Sequence, residues 1–193
     1  MKILLATFNK HKVHEISQLI GSSDIELLSL DDIGYDEEII EDGNSFIENA
    51  LIKAETIFKK YKMPTLADDS GICIDALDGK PGIHSARFAG ENTSSMDKNH
   101  LIIDLLKGND NRNAHYTCAL AYVDENEKFI VEKYCHGTII EKETGNNGFG
   151  YDPIFFIESA NMTLAEISLD EKNKISHRGQ AFKEFKRHIE GRK

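Results

Sequence analysis

Thr65 to Gly71 reads T-L-A-D-D-S-G, and Ile72-Cys73-Ile74 follows directly. A short apolar approach that ends at two adjacent carboxylates is typical of a buried strand delivering charge to the edge of a sheet. Side chains alternate along an extended chain, so Asp68 and Asp69 point to opposite faces and can serve different purposes. Taken alone, D-D-S-G favours a turn between two strands, because all of these residue types are common in turns. The rest of the chain decides whether the two carboxylates belong to a site.

The composition predicts one ordinary globular domain over residues 1–193. The chain is 40% hydrophobic and 29% charged and contains only 3 Pro, values typical of a folded domain. No apolar run is long enough to cross a bilayer, and the N-terminal run is too short for a signal peptide. We therefore expect a cytoplasmic protein without membrane contacts.

The formal net charge of −10 argues against non-specific binding to nucleic acids or anionic membranes. It does not exclude a phosphate ligand. An acidic protein that binds phosphates needs a divalent cation, a local cluster of Lys and Arg, or both. Three widely spaced cysteines without a C-x-x-C pair, Cys73, Cys118 and Cys135, are expected to be reduced core thiols.

The chain begins with a strand–helix junction. Lys2 to Thr7 is apolar and strand-like, and an apolar stripe at helical spacing follows from Val13. The polar segment between them, Thr7 to Lys12, therefore lies at a helix N-terminus, where backbone N–H groups and the helix dipole favour phosphate. A capped helix with two solvated lysines is the alternative, and the glycines of a Walker loop are missing.

A second helix is predicted from about Ser45 to Tyr61. Ser45 to Glu48 matches a capping box, and Pro64 stops the pattern. Asn49 and Lys53 are four residues apart and share one face. Lys53 either extends along the apolar stripe or points to the two carboxylates, and the spacing does not decide between these.

The second half of the chain contains more strands than helices. Two long strands joined by residues 124–127 predict a hairpin. The segment Thr144 to Pro153 interleaves glycines with Phe149 and Tyr151, which favours a loop whose exposed rings stack on a base over a plain hairpin loop. His177 and Arg178 begin the last helix against the helix dipole, which indicates a site. Helices and strands alternate early and strands cluster later, so the predicted fold is α/β with a mixed central sheet and flanking helices.

Together these stretches resemble the inosine triphosphate pyrophosphatase family. The matching motifs run through the whole chain: Ala6-Thr7-Phe8-Asn9 with Lys12, Glu41-Asp42-Gly43 with Ser45 to Ala50 and Lys53-Ala54, Ala67 to Gly71, Pro81 to Arg87, Gly148 to Pro153, and Ser176-His177-Arg178-Gly179. Members often carry Gly before the lysine of the first loop, where this chain has His11.

The resemblance implies hydrolysis of ITP, dITP and XTP to the monophosphate and pyrophosphate. It also implies Mg²⁺, a homodimer, and an elongated sheet in two lobes with the active site in the cleft between them. Asp69 is the implied base, assisted by Asp68 and Lys53, and Glu41 with Asp69 are the implied metal ligands. The implied substrate-binding residues are Thr7, Phe8, Asn9, Lys10, His11, Lys12, Ser70, Phe149, Gly150, Tyr151, Asp152, Lys172, His177 and Arg178.

Physical chemistry gives these residues specific tasks. Asp68 is expected to pair with Lys53, and Lys12, Lys53 and Lys172 supply local positive charge. Arg178 or nearby N–H groups can select a keto group at the six-position of a purine, because adenine would leave these donors unpaired. The shape of the pocket around Phe149 and Asp152 is expected to exclude guanine.

Three other functions are weighed against this one. They are hydrolysis of modified pyrimidine triphosphates, nucleotide sensing without turnover, and nucleic-acid binding, of which the last fits the acidic charge least.

Overall fold

The computed structural model describes residues 1–21, 24–90 and 92–192. Within these ranges the strands are β1 (Lys2–Leu5), β2 (Glu26–Ser29), β3 (Thr65–Ile74), β4 (Asn113–Val123), β5 (Lys128–Ile139), β6 (Phe155–Ile157) and β7 (Met162–Thr163). The helices are α1 (Lys10–Ile20), α2 (Phe46–Tyr61), α3 (Ser95–Leu105), α4 (Leu169–Ile175) and α5 (His177–Glu190).

The strands form a mixed sheet in the order β2-β1-β3-β4-β5-β6-β7. β1 is parallel to both β2 and β3, with Leu4 opposite Thr65, whereas β6 is antiparallel to β5 and β7. This arrangement confirms the predicted α/β fold with a mixed sheet. No helix in the described ranges carries an apolar stretch long enough to span a membrane.

β3 departs most from the sequence prediction, because it runs through D-D-S-G without a turn. Gly71 lies so close to a neighbouring segment that a Cβ atom would be 2.3 Å from the Gly82 carbonyl oxygen and 2.4 Å from Ser85 Oγ. Ser85 Oγ accepts a hydrogen bond from the Ile72 N–H at 2.9 Å and donates to the Gly82 carbonyl at 2.6 Å. The predicted turn is wrong because this tertiary contact keeps the chain extended past Gly71.

Smaller departures concern helix ends and burial. Ser45 caps α2 by accepting from the Glu48 N–H, as predicted, but the Glu48 carboxylate accepts from the Asn44 N–H, one residue before the cap. The apolar pattern of residues 97–106 predicts a helix with Leu105 buried, but Leu105 is 50% exposed at the end of α3. Both changes leave the position of the helices intact.

The chain divides into two compact units, which correspond to the two predicted lobes. The first unit comprises Met1–Asp69, Cys118–Lys133 and Arg178–Lys193, and the second comprises Ser70–Thr117 and Tyr134–His177. Each has its own apolar core. The core of the first unit includes Ile3, Leu5, Ile16, Leu66, Leu120, Phe182 and Phe185, and that of the second includes Ile72, Ile102, Tyr116, Phe155 and Leu164.

The predicted link between β4 and β5 is a turn organised by Asp124. Asp124 Oδ1 accepts from the backbone N–H groups of Asn126 and Glu127 at 2.8 and 2.9 Å. Its Oδ2 accepts from the Tyr122 hydroxyl and pairs with Arg192, both at 2.9 Å. Burial alone would raise the pKa of Asp124, but these donors together hold it below its ordinary value.

Asp124→Ala is expected to lower the free energy of unfolding at pH 7 by about 1–2 kcal/mol, because a carboxylate with four donors is lost. A folded-state pKa below the unfolded value means that the contribution is complete above that unfolded value, 3.8, and disappears as pH falls through the folded-state pKa. The difference in the free energy of unfolding between Asp124→Ala and the wild type, measured with urea, should therefore become smaller below about pH 4.

Glu125→Ala is the matched control, because Glu125 is an exposed acid in the same turn. We expect Glu125→Ala to change the free energy of unfolding by less than about 0.5 kcal/mol both at pH 7 and below about pH 4. Equal effects of the two substitutions would show that the turn does not depend on the Asp124 contacts.

Candidate active site

The first polar cluster joins β3 to α2 in the first unit. Lys53 Nζ lies 2.6 Å from Glu41 Oε2 and 3.2 Å from Asp69 Oδ1. Asn49, one helical turn before Lys53, donates from Nδ2 to Asp69 Oδ2 at 3.2 Å and accepts from the Gly43 N–H at 2.9 Å. The shared face predicted for Asn49 and Lys53 thus points to Asp69 and also fixes the segment that carries Glu41.

The pKa values of Lys53 and Asp69 are both raised, but for different reasons. Burial alone would lower the pKa of the Lys53 ammonium, but Asp69 and Glu41 raise it above its ordinary value, so Lys53 stays charged. Burial raises the pKa of Asp69 despite the attraction of Lys53. Asp69 is therefore a stronger base than an exposed aspartate, while its two neighbours fix its orientation.

Asp68 lies on the opposite face of β3 and has different partners. Its Oδ2 lies 3.1 Å from Lys12 Nζ and accepts from Arg178 Nε and Nη2 at 3.3 Å each. Arg178 Nη1 lies 2.5 Å from Glu15 Oε2. The expected pairing of Asp68 with Lys53 is wrong: Lys53 contacts Asp69 and Glu41, because alternation along β3 turns Asp68 away from α2.

Asp68, Arg178 and Glu15 of this second group are buried, and Lys12 is partly buried. Burial would raise the pKa of Asp68, but Lys12 and Arg178 hold it well below its ordinary value. Asp68 and Glu15 in turn raise the pKa of Arg178. Burial raises the pKa of the nearby Cys118 thiol to about 12, so this thiol stays protonated. None of Cys73, Cys118 and Cys135 forms a disulfide, as predicted; Cys118 and Cys135 are buried in the core, whereas Cys73 is half buried.

The β1–α1 junction forms a capped helix start, which the sequence left open as the alternative to a phosphate-binding segment. Asn9 Oδ1 accepts from the N–H groups of His11 and Lys12 at 3.0 and 3.2 Å, and Thr7 Oγ1 accepts from the Asn9 N–H at 3.2 Å. Lys10 and His11 are exposed in the first turn of α1. Because the cap already uses two of the N–H groups, the side chains of this turn are the groups most accessible to a phosphate.

Phe8, between Thr7 and Asn9, is half exposed and packs on an aromatic ring of its own unit. Its ring centroid is 6.0 Å from that of Tyr35, with the two planes nearly parallel. This contact positions Phe8 against Tyr35.

The second unit collects most of the remaining predicted residues around Asp152. Asp152 Oδ2 lies 2.7 Å from Lys172 Nζ and accepts from the Phe149 N–H at 2.9 Å, and Asp152 Oδ1 accepts from the Tyr116 hydroxyl at 3.4 Å. His177 stacks on Tyr116, with ring centroids 4.6 Å apart. Lys172 Nζ lies 5.0 Å from the centroid of the half-buried Phe149 ring. Asp152 and Lys172 thus hold Phe149 in place from within the unit.

The glycine-rich loop, Thr144 to Pro153, differs from the prediction at Tyr151, whose ring was expected to be exposed. Tyr151 is buried and donates from its hydroxyl to the Ser85 carbonyl at 2.8 Å, so only Phe149 presents a partly exposed ring. Gly148 and Gly150 have φ values of +72° and +65°, a conformation that favours glycine. Ser70 lies at the start of the second unit, half buried on β3.

The cluster in the first unit carries an excess of negative charge. Its three cations are Lys12, Lys53 and Arg178, and its four carboxylates are Glu15, Glu41, Asp68 and Asp69. Lys172 is likewise neutralised by Asp152. Across the described ranges, no three His, Cys, Asp or Glu side chains are grouped as a protein-only metal site.

Comparison with known proteins shows a family match over almost the whole chain. A model of the Ham1 family matches residues 3–188. The chain belongs to the Ham1 family. This membership confirms the resemblance predicted from the motifs.

Relatives of this Ham1-family chain include two dITP/XTP pyrophosphatases. That of Treponema denticola is 44% identical over 195 residues, covering 99% of this chain and 100% of the relative. That of Thermoanaerobacter pseudethanolicus is 41% identical over 191 residues, covering 98% and 96%. A solved Ham1 protein from Staphylococcus aureus superposes with a TM-score of 0.91 at 32% identity and covers all of both chains.

Sequence reasoning missed two residues of these Ham1-family clusters. Glu15 was treated as part of an ordinary helix, although a buried acid beside the apolar Ile16 requires a cation. Tyr116 was assigned only to a strand, although it joins Asp152 to His177. The signal for Glu15 was its place beside the apolar stripe, whereas nothing local distinguished Tyr116.

Proposed function

We propose that this protein hydrolyses purine nucleoside triphosphates with a keto group at the six-position, ITP, dITP and XTP, to the monophosphate and pyrophosphate. The observation that carries the proposal is the buried carboxylate of Asp69, held between Lys53 and Asn49. The relatives at 41% and 44% identity, which are dITP/XTP pyrophosphatases, support the choice of substrates.

The residues present fit Mg²⁺ as the cofactor. Mg²⁺ is usually held by one or two carboxylates and completed by substrate phosphates and water, so a site without three clustered protein ligands suits it. Glu41 and Asp69 would hold it, since both approach one ammonium, that of Lys53, and thus already favour a cation there. When bound, Mg²⁺ would supply the positive charge that a triphosphate needs beside this acidic cluster.

The residues of the chain then have distinct tasks. Asp69 accepts the proton of the attacking water, and its raised pKa makes it a better base than an exposed aspartate. Lys53 and Asn49 orient its two oxygens. We assign Lys12, with the exposed Lys10 and His11, to the phosphates. Asp68 fixes Lys12 from behind.

Base recognition is assigned to the second unit. Phe149 offers a partly exposed ring for stacking, and its position is fixed by Asp152 and Lys172. Arg178 uses Nε, Nη1 and Nη2 on Asp68 and Glu15, so we propose that it acts first by holding these carboxylates. Three points stay predictions. They are the contact of Arg178 with the six-keto group, the exclusion of guanine, and the contacts of substrate with Ser70, Gly150, Tyr151 and His177.

A substrate panel tests the proposed function. Purified protein with Mg²⁺ is assayed against ITP, dITP, XTP, GTP, ATP and a modified pyrimidine triphosphate, with pyrophosphate and orthophosphate measured separately. We expect pyrophosphate from ITP, dITP and XTP, at least about 10²-fold less from ATP, and no turnover after chelation of Mg²⁺.

Other results would select the alternatives. Preferential turnover of the pyrimidine would indicate the related pyrophosphatase, and tight ITP binding without release of pyrophosphate would indicate a sensor. Orthophosphate as the first product would contradict the assignment of Asp69, because a different bond would then be cut. Comparable rates with GTP and ITP would contradict the exclusion of guanine.

Two further proposals rest on the family resemblance. They are a homodimer and a cytoplasmic location. Light scattering coupled to gel filtration tests the first, since a dimer has about twice the 21.7 kDa chain mass.

A further inference from the structure

Asn99 links α3 to two distant points of the second unit. It is 1% exposed, and its Nδ2 donates to Glu143 Oε1 at 2.6 Å and to the Gly150 carbonyl at 3.3 Å. Because both neighbours are acceptors, the amide nitrogen must face them. The buried Asn99 side chain thus connects Glu143, which follows β5, with Gly150 in the glycine-rich loop.

We propose that Asn99 is a positioning residue for base recognition, acting through Gly150 on the Phe149 ring. The proposal rests on the proposed function, in which Phe149 stacks on the base. It assigns Asn99 to specificity, although Asn99 lies outside all motifs that indicated the family.

The loop needs such a contact because glycine leaves its backbone free to rotate. Gly148 and Gly150, with φ of +72° and +65°, flank Phe149, and glycine populates many backbone conformations at little cost. Asp152 anchors the Phe149 N–H, and the Ser85 carbonyl anchors the Tyr151 hydroxyl. Between these anchors the peptide group after Gly150 is held at its carbonyl by Asn99. Loss of that bond lets the peptide rotate, so the Phe149 ring becomes less well ordered before substrate binds although Asp152 and Lys172 still contact it.

The chemistry of the site favours asparagine specifically. An amide supplies two N–H donors to two adjacent acceptors, which a carboxylate of the same shape cannot do. Aspartate would also place a second negative charge against Glu143. Alanine removes the donors and leaves the Gly150 carbonyl without this partner.

The test compares steady-state kinetics of Asn99→Ala and the wild type with dITP and dGTP. We expect KM for dITP to rise about tenfold, with kcat changed less than about twofold, because a loop that must be ordered on binding weakens affinity without touching the chemistry. The preference for dITP over dGTP should fall, while inhibition by inorganic tripolyphosphate, which has no base, stays unchanged. Asn109→Ala is the control and should match the wild type, because Asn109 is exposed and its side chain accepts from the nearby Asn111 N–H.

The outcomes separate this inference from the proposed function. An unchanged KM and unchanged preference in a folded Asn99→Ala, with the wild type hydrolysing dITP, would overturn the inference alone. Absence of dITP turnover in the wild type would overturn the proposed function. If Asn99→Ala does not fold, Asn99→Leu keeps most of the side-chain volume and removes the donor to the Gly150 carbonyl. A rise in KM of about threefold or more in this variant supports the inference, and an unchanged KM overturns it.

Discussion

Asp69→Asn is expected to reduce kcat for dITP by about 10²–10⁴-fold, the usual contribution of a general base. Asparagine preserves the shape of the side chain and can still accept from Asn49, but it cannot take a proton from water. Because Asp69 is also a proposed Mg²⁺ ligand, the Mg²⁺ concentration needed for half-maximal activity should rise. At saturating Mg²⁺, KM for dITP should change less than kcat, because Lys12 and Phe149 are left intact. The measurement is pyrophosphate release at saturating dITP and Mg²⁺.

Stability should distinguish this loss from unfolding. Burial raises the folded-state pKa of Asp69 above its unfolded value of 3.8. The protonated side chain therefore contributes to the free energy of unfolding below pH 3.8, and this contribution is lost as pH rises through the folded-state pKa. At pH 7 burial of the ionised carboxylate opposes folding, whereas its pair with Lys53 favours it. The metal-free Asp69→Asn variant should therefore stay folded and lose less stability than Arg178→Met. Asp75→Asn, an exposed aspartate just after β3, is the control for activity. Wild-type turnover in Asp69→Asn would remove Asp69 from the mechanism.

Arg178→Met is expected to lower the free energy of unfolding by about 3–5 kcal/mol, the cost of removing one partner from a buried ion pair. Arg178 is 2% exposed and contacts Asp68 and Glu15, which are also buried. Methionine fills much of the volume of the arginine side chain. Glu15 then loses its pair with Arg178, whereas Asp68 keeps its pair with Lys12. Urea unfolding at neutral pH measures the loss.

A surface ion pair provides the matched control. Lys2 lies 3.2 Å from Glu26, and their side chains are 59% and 57% exposed. Lys2→Met should cost less than about 1 kcal/mol, because solvent screens an exposed pair. Adding Glu15→Gln to Arg178→Met should recover part of the loss, since one buried charge is then neutralised. If Arg178→Met were no more costly than Lys2→Met, the buried network would not stabilise the fold.

Much of the fold was predictable from local patterns. The capped start of α1 at Asn9 and of α2 at Ser45 followed from residue types with a strong preference for these positions. The spacing of Asn49 and Lys53 placed both on one face of α2, and alternation placed Asp68 and Asp69 on opposite faces of β3. These features depend on neighbours within four residues, so the sequence itself contains them.

Tertiary structure decided the partners of the charges and the path of β3. Asp68 accepts from Arg178, 110 residues away, and Glu15 meets the same guanidinium across 163 residues. A carboxylate can form an ion pair with any lysine or arginine, so the packing of distant elements determines which of them it contacts. The same holds for D-D-S-G, whose residues favour a turn but stay extended because Gly82 and Ser85 pack on Gly71. Local preferences are worth about 1 kcal/mol or less, and the contacts of a buried strand outweigh them.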